Sequence, residues 1–370
     1  MEKVKISSYQ FFSLMMLFQL GTAVVVGFGV NAKKDAWLAI FLGMIIGLVL
    51  YYIYYYLFML YLKPLTSYVQ DILGKYLGLL IGILYITYFL YGAARDLRDV
   101  GGLLVTSVYN QTPMIVIMML MVLAIAYVLY KGMLILGRLS EIYFIVMILL
   151  GMFGNAFVLL SGIVDVTKLL PVLGEGWKPV LKTVFPLTSV FPWGEVICFS
   201  FILPYLQYKE KALKLGASSI VLSSFILMYT TSLNVTVLGA GLVETSTFPL
   251  FITVSLVNIY EFIQRIDAIV VLTLFIGAFF KTAIFYYAAI IGAADLFRVD
   301  YKKLVLPFGI IVLFLAVIIA KDYSEHIEEG QASLLTIHGL FAVYIPVALL
   351  LIVFLKKLFK KENSEINQTT

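Results

Sequence analysis

Charge is scarce in this sequence. Only 13% of its 370 residues are Asp, Glu, Lys or Arg, whereas 62% are apolar and the mean hydropathy is +1.04. Soluble domains carry about 25% charged residues, so a hydrated surface is excluded and the solvent for this chain is lipid. Cysteine is almost missing as well. Cys198 stands alone inside an apolar run, which rules out an intrachain disulfide and reads as small apolar filler.

Histidine is nearly as rare. His326 and His338 flank the last predicted external loop, without a cysteine or acid at the spacing of a metal site. His326 lies among Glu325, Glu328 and Glu329, a pattern that reads as a solvated acidic loop. There is no GxxxxGK[ST] run and no Ser/His/Asp or Cys/His constellation, so neither an ATP-driven pump nor a hydrolase is encoded. No enzymatic activity, cofactor, metal or nucleic-acid partner is expected.

What is present is a series of apolar runs of about 20 residues, the length that crosses a hydrocarbon core about 30 Å thick. Spans are predicted at 9–30, 37–61, 80–107, 113–130, 140–161, 184–206, 216–240, 266–294, 302–320 and 337–356. Strand-type alternation is missing from them, which excludes a β-barrel. With the N-terminus inside, 16 of the 26 basic residues fall on the inner side, 7 fall outside and 3 lie within spans. The positive-inside rule therefore places both termini in the cytoplasm, with anionic lipid as the partner of the basic side. The stretch from Thr245 to Ile266 is too short to cross and reads as an external loop carrying an interfacial or re-entrant helix. Trp37, Trp177 and Trp193 fit an interfacial aromatic belt. The pairs Gly43/Gly47 and Gly78/Gly82 have a spacing that allows close helix packing within the monomer.

Two spans carry breaks. Span 1 has Leu20-Gly21-Thr22 near its middle, and span 6 reads Phe185-Pro186-Leu187-Thr188-Ser189-Val190-Phe191-Pro192-Trp193-Gly194-Glu195. Proline removes a helical hydrogen bond, and irregular backbone at membrane depth is tolerated only where protein or a polar cavity satisfies it. Breaks at the first helix of each half are the mark of a five-plus-five inverted repeat. The fold class is thus an all-α integral membrane protein of the LeuT-like type with about ten helices. It forms a single domain, 1–370, with repeats at about 9–161 and 184–356 and a cytoplasmic tail at 357–370. Freed amides around Gly21 and Thr22, at the positive end of a half-helix, would hold a carboxylate, and carbonyls with Glu195 would hold an ammonium.

Ionisable groups inside spans cost about 2.5 to 3.5 kcal/mol each at the centre and should face partners. Arg95-Asp96-Leu97-Arg98-Asp99 forms a buried charge network in span 3, with Arg95 and Asp99 at pairing distance on one face. Lys281 lies near the midplane of span 8 without an acid at helical spacing, so its partner comes from another helix. Glu195 is the first choice, followed by Asp96 and Asp99. In this role the ammonium would replace the cation that sits between spans 1 and 8 in sodium-coupled transporters of this fold.

The segments Gly21-Thr22-Ala23, Ala32-Lys33-Lys34-Asp35-Ala36-Trp37-Leu38, Phe191-Pro192-Trp193-Gly194-Glu195 and Leu203-Pro204-Tyr205-Leu206 resemble the B subunits of endospore germinant receptors. These belong to the amino acid–polyamine–organocation (APC) transporter superfamily. The resemblance implies a protein of the inner spore membrane that binds a germinant, often an amino acid, beside a membrane A subunit and a lipoprotein C subunit. It also implies that Gly21 contributes to the ligand site. Thr22 beside it, Val190, Phe191, Gly194 and Glu195 of span 6, and Lys281 and Thr282 of span 8 would line the same pocket. Val24 and Val25 stand where other members carry a small residue, which bears on pocket size. The competing expectation is a genuine amino-acid permease, proton-coupled or exchanging.

Overall fold

The computed structural model describes residues 5–107, 109, 111–258 and 266–369. Side chains from 360 onward and at Tyr323 lie outside that description, as does the end of the predicted loop helix beyond Asn258. Among the described residues the architecture is helical throughout. Eight segments are long and apolar enough to cross a bilayer: Val30–Tyr61, Lys75–Ser107, Met114–Lys131, Met133–Leu160, Lys209–Leu238, Ala268–Phe297, Tyr301–Ile318 and Ser324–Phe359. The two predicted spans missing from that set, 9–30 and 184–206, are the two that are broken.

Helix α1 (Ser8–Leu20) starts from a capping box in which Ser7 Oγ accepts from the Gln10 amide at 3.1 Å. Gln10 Oε1 in turn accepts from the Ser7 amide at 3.0 Å. It stops at Gly21, whose φ of +23° and ψ of −121° fit no helix. A Cβ there would lie 2.7 Å from the Phe18 carbonyl and 2.9 Å from Lys281 Cδ, so glycine is required twice over. The chain then turns through 21–25 and a 3₁₀ turn, Val30–Asp35, into α2 (Ala36–Tyr61). Helix α3 (Leu65–Leu73) is short and amphipathic, and leads into α4 (Lys75–Ser107), α5 (Met114–Lys131) and α6 (Met133–Leu160).

The second half repeats the device. Helix α7 (Trp177–Thr183) passes into a widened turn, Val184–Thr188, where Phe185 leaves helical geometry. The segment continues as 3₁₀ turns over Gly194–Phe201 and Leu203–Tyr205. Pro186 and Pro192 cannot donate the hydrogen bonds that a continuous α-helix needs here. Next come α8 (Ala212–Leu238), α9 (Ala240–Thr245), α10 (Pro249–Ser255), α11 (Ala268–Phe297), α12 (Tyr301–Ile318), α13 (Tyr323–Ser333) and α14 (Ile345–Thr369). Helix α10 lies within the stretch expected as a loop helix, and α9 ends where that stretch begins.

Helix α11 packs most extensively on α4, α2 packs on α8, and α1 lies between α6, α8 and α11. The glycine pairs work inside the monomer. A Cβ at Gly43 would collide with Thr188, one at Gly47 would come within 2.6 Å of Trp193 Cβ, and Gly78 abuts Gln70. The Lys33-Lys34-Asp35 motif ties down the 165–176 connection, because Lys33 Nζ reaches Glu175 at 2.7 Å and Lys34 Nζ donates to the Leu170 carbonyl at 2.6 Å. Asp35 Oδ1 accepts from the Leu173 amide at 2.9 Å.

Two expectations need correction. Trp193 does not belong to an interfacial belt: it is fully buried against Gly47 and Phe28, because the 191–195 segment turns inward as it unwinds. The acidic stretch around His326 is not a solvated loop either. It is α13, which runs without a gap through widened turns at Leu334–His338 and Leu340–Tyr344 into α14, so the last span begins more than ten residues earlier than predicted. Asp322 caps it, its Oδ1 accepting from the Glu325 amide at 2.9 Å.

The close approach at Gly47 gives a stability test. Gly47→Val should lower the stability of the detergent-solubilised protein by about 1–3 kcal/mol through overpacking against Trp193. Gly151→Ala, whose added Cβ meets no atom within 4 Å, should leave the melting temperature unchanged or raise it. Equal loss in both variants would contradict the packing described.

Candidate functional site

The centre of the molecule is a buried ammonium between two carboxylates. Lys281, on α11, is 2% exposed, and its Nζ lies 2.9 Å from Glu195 Oε2 and 3.3 Å from Asp96 Oδ1. The three side chains come from three different elements: the broken 194–201 segment, α4 and α11. Phe191 adds its ring face 4.2 Å from the ammonium, a cation–π contact that the turn at 191–194 makes available. Gly277, one turn before Lys281, allows the approach, since a Cβ there would collide with the Gly21 carbonyl.

The network extends in two directions. Toward α1, Thr22 Oγ1 donates to Asp96 Oδ1 at 3.4 Å. Toward the last span, His338 Nδ1 lies 3.3 Å from Glu195 Oε1 and 3.1 Å from the Tyr88 hydroxyl. Next to Asp96 on α4, Arg95 pairs with Glu329 of α13, Tyr91 donates to Glu329 Oε1 at 2.5 Å, and Arg95 also donates to the His326 carbonyl at 3.0 Å. His326 Nε2 meets Asp99 Oδ1 at 2.9 Å.

Lys281, Glu195, Asp96, Arg95, Asp99 and His338 line a cavity of 140 Å³ bounded by the turn after α1, by α4, by 187–195 and by α13 with its continuation to His338. A water needs about 10–15 Å³ of such space, so the cavity has room for several waters or for a small polar solute. Several groups bear on what it can hold. Asp96 Oδ2 is buried without a hydrogen-bond partner among the described residues. Glu195 Oε2 forms the ion pair with Lys281 but at an angle that does not make a hydrogen bond. The Thr22 and Ala23 amides donate to no described residue, while the Thr22 carbonyl accepts from Val25 and Val26. A carboxylate pair sharing one ammonium carries an excess of acceptors.

Of the residues named from sequence, Thr22, Phe191, Glu195, Lys281, Arg95, Asp96 and Asp99 border this cavity. Gly21, Val190, Gly194 and Thr282 do not. Gly21 is packed under Lys281, and the Gly194 carbonyl accepts from Tyr54 at 3.1 Å. Val190 lies within 3.5 Å of the space above Gly194, and Thr282 faces the packed side of α11. Arg98 turns away to α12, donating to the Ala316 and Val317 carbonyls at 2.9 and 3.1 Å.

Three further readings change. Arg95 takes Glu329 as its partner rather than Asp99, because α13 brings a carboxylate across the gap whereas Asp99 is engaged by His326. Gly21 is at the C-terminal, negative end of α1, with its own amide bonded to Leu17, so the amides free for an anion are those of Thr22 and Ala23. Val24 and Val25 border no part of the polar cavity, so they do not set its size. Sequence reasoning missed Glu329, Tyr88, Tyr91 and both histidines as members of the polar network, of which His338 also borders the cavity. The available signal was that a loop has no need of two histidines and three glutamates in register with the end of an apolar run.

Broken first helices in both halves, around a midplane cavity with buried charges, define a multi-pass membrane protein of the LeuT-like transporter fold. MhsT in complex with L-phenylalanine superposes with a TM-score of 0.64 over 92% of this chain and 89% of its own, at 14% identity, a likeness of fold alone. Residues 5–326 match the family model described as "Spore germination protein", and the chain belongs to that family. Spore germination protein KB of Bacillus subtilis is 38% identical over 362 residues, covering 96% of both chains. Spore germination protein A2 of the same organism is 26% identical over 324 residues, covering 84% of this chain and 86% of its own.

Removing Lys281 leaves Asp96 and Glu195 buried and unpaired, which costs about 3–5 kcal/mol. Lys281→Met should therefore lower the melting temperature of the purified protein strongly, and Lys281→Arg only partly. The double change Lys281→Met with Glu195→Gln should recover part of the loss. Three variants as stable as the parent would remove the ion pair from the core of the fold.

Proposed function

We propose that this chain is the B subunit of a spore germinant receptor, and that the 140 Å³ cavity binds a small germinant carrying an ammonium and a carboxylate, as an amino acid does. The observation that carries the reading is the unbalanced triad: two buried carboxylates, Asp96 and Glu195, share the single ammonium of Lys281, and Asp96 Oδ2 is unbonded. A buried excess of negative charge is costly unless a proton or a cation neutralises it. A ligand ammonium at Asp96 supplies that charge, and its carboxylate falls to the free Thr22 and Ala23 amides and to the Arg95 side of the cavity. The Lys281 ammonium takes the place that a coupling cation holds in ion-driven relatives of this fold, so binding needs no added sodium.

In this reading the repeats run over about 9–161 and 184–356, both termini are cytoplasmic, and the protein works in the inner spore membrane with A and C subunits. Closure of the cavity is then relayed to those partners. Membership of the germination family and the 38% identity to spore germination protein KB support a sensor over a permease.

A thermal-shift screen of the purified protein against L- and D-amino acids tests it. One stereoisomer should stabilise the protein saturably, by about 2.7 kcal/mol at a hundredfold excess over Kd. Asp96→Asn should lose that response while still folding, and Gly21→Ala should weaken it by pressing on Lys281. No stabilisation by any amino acid would contradict the ligand reading. In proteoliposomes the bound ligand should not accumulate; sustained, gradient-driven uptake would make the chain a permease. Affinity purification from spores should retain the A and C subunits.

A further inference from the structure

The turn after α1 has two faces, and the second opens onto a different cavity. Thr22 and Val26 border the polar site, whereas Leu20 and Val24 border a space of 610 Å³ enclosed by α6, α8, α10 and α11. Its inner wall includes Leu20, Val158, Val254 and Val270, all at most 3% exposed. Its rim, Met152, Leu159, Phe225 and Tyr229, is between 47% and 64% exposed. None of the residues lining it is Asp, Glu, Lys or Arg. Two glycines of α6 create the space. A Cβ at Gly151 would meet no atom within 4 Å, and one at Gly154 would touch only Ile269, at 3.6 Å.

The rim is continuous with the apolar helix surface that faces the bilayer, so the neighbour at this depth in any membrane is a hydrocarbon tail. Water is disfavoured there, because a water needs two to four polar partners and the lining is mostly apolar: its buried polar side chains are few, and Asn155 and Thr273 already donate to the Gly151 and Ile269 carbonyls of their own helices. Unfilled space would forfeit the dispersion contacts of every lining side chain. We propose that this groove is a lipid-binding site that takes one acyl chain of a membrane phospholipid, inserted between α6 and α8 as far as Leu20 and Val24. The inserted tail then packs against the back of the turn whose front carries Thr22. This assignment of an occupant does not depend on the germinant reading, which concerns the opposite face.

The test uses the full-length protein in phosphatidylglycerol–phosphatidylethanolamine vesicles doped with a phosphatidylglycerol that carries a diazirine in one acyl chain. After irradiation, labelled residues are mapped by peptide mass spectrometry. Labelling of the buried wall, at Val158, Val254 or the Leu20–Val24 turn, is expected alongside the rim. Gly151→Phe, whose ring enters the groove without a backbone clash, should cut wall labelling at least fivefold and leave the rim unchanged. Ala156→Phe, also on the groove, guards against a fold defect peculiar to the glycine position and should act in the same direction. Labelling confined to Met152, Leu159, Phe225 and Tyr229 would overturn the proposal, since any lipid-facing surface gives that pattern. Wall labelling that persists in both phenylalanine variants would overturn it too, and protection of the rim by a partner helix in the assembled receptor would assign the groove to that helix instead.

Discussion

The Lys281 ammonium, held between Asp96 and Glu195, is the interaction on which the rest of the structure depends. A lysine near the middle of an apolar helix is tolerable only when another element delivers a counter-charge at hydrogen-bond distance. Helix α4 and the unwound 194–201 segment each deliver one, and each is fixed in place by that requirement. Gly21 and Gly277 follow from the same demand. The chain must come close enough to α11 to cover the aliphatic part of Lys281, and a Cβ at either position would prevent it.

The breaks in the two halves act differently. After α1 the interruption is a thin wall, with alternate residues facing a polar cavity and an apolar groove. In the second half the interruption is longer, and it turns Phe191 onto the ammonium while burying Trp193 against α2. Both limit the cost of unsatisfied backbone by turns that keep carbonyls and amides bonded locally, and after α1 the Thr22 amide lies beside the polar cavity.

Much of this was legible in the sequence. Hydropathy located the continuous spans, and the Pro-Gly-rich run at 185–195 with Leu20-Gly21-Thr22 located the interruptions. The isolation of Lys281 on its own helix required an acid from elsewhere, and Glu195 was the acid in the other irregular span. The last span was misread because Glu325, Glu328 and Glu329 lower the local hydropathy, and a window average cannot see that α13 turns Glu329 inward to Arg95 and Tyr91 while Glu325 and Glu328 stay on its exposed side. The i,i+4 spacing of Arg95 and Asp99 was geometrically sound, yet it lost to partners supplied from another helix.

By itself, the sequence determined the solvent, the number and order of spans, and which two must break, because these follow from local quantities: apolar length, proline's missing donor and glycine's freedom at positive φ. Tertiary structure alone decided which charges meet. Pairing of Arg95 with Glu329, of His326 with Asp99 and of His338 with Glu195 joins residues more than 140 positions apart. The strength of such pairs depends on distance and burial, which only the packed bundle sets. The same holds for the two faces of the turn after α1, where neighbouring residues acquire opposite surroundings only once α4 and α6 close around them.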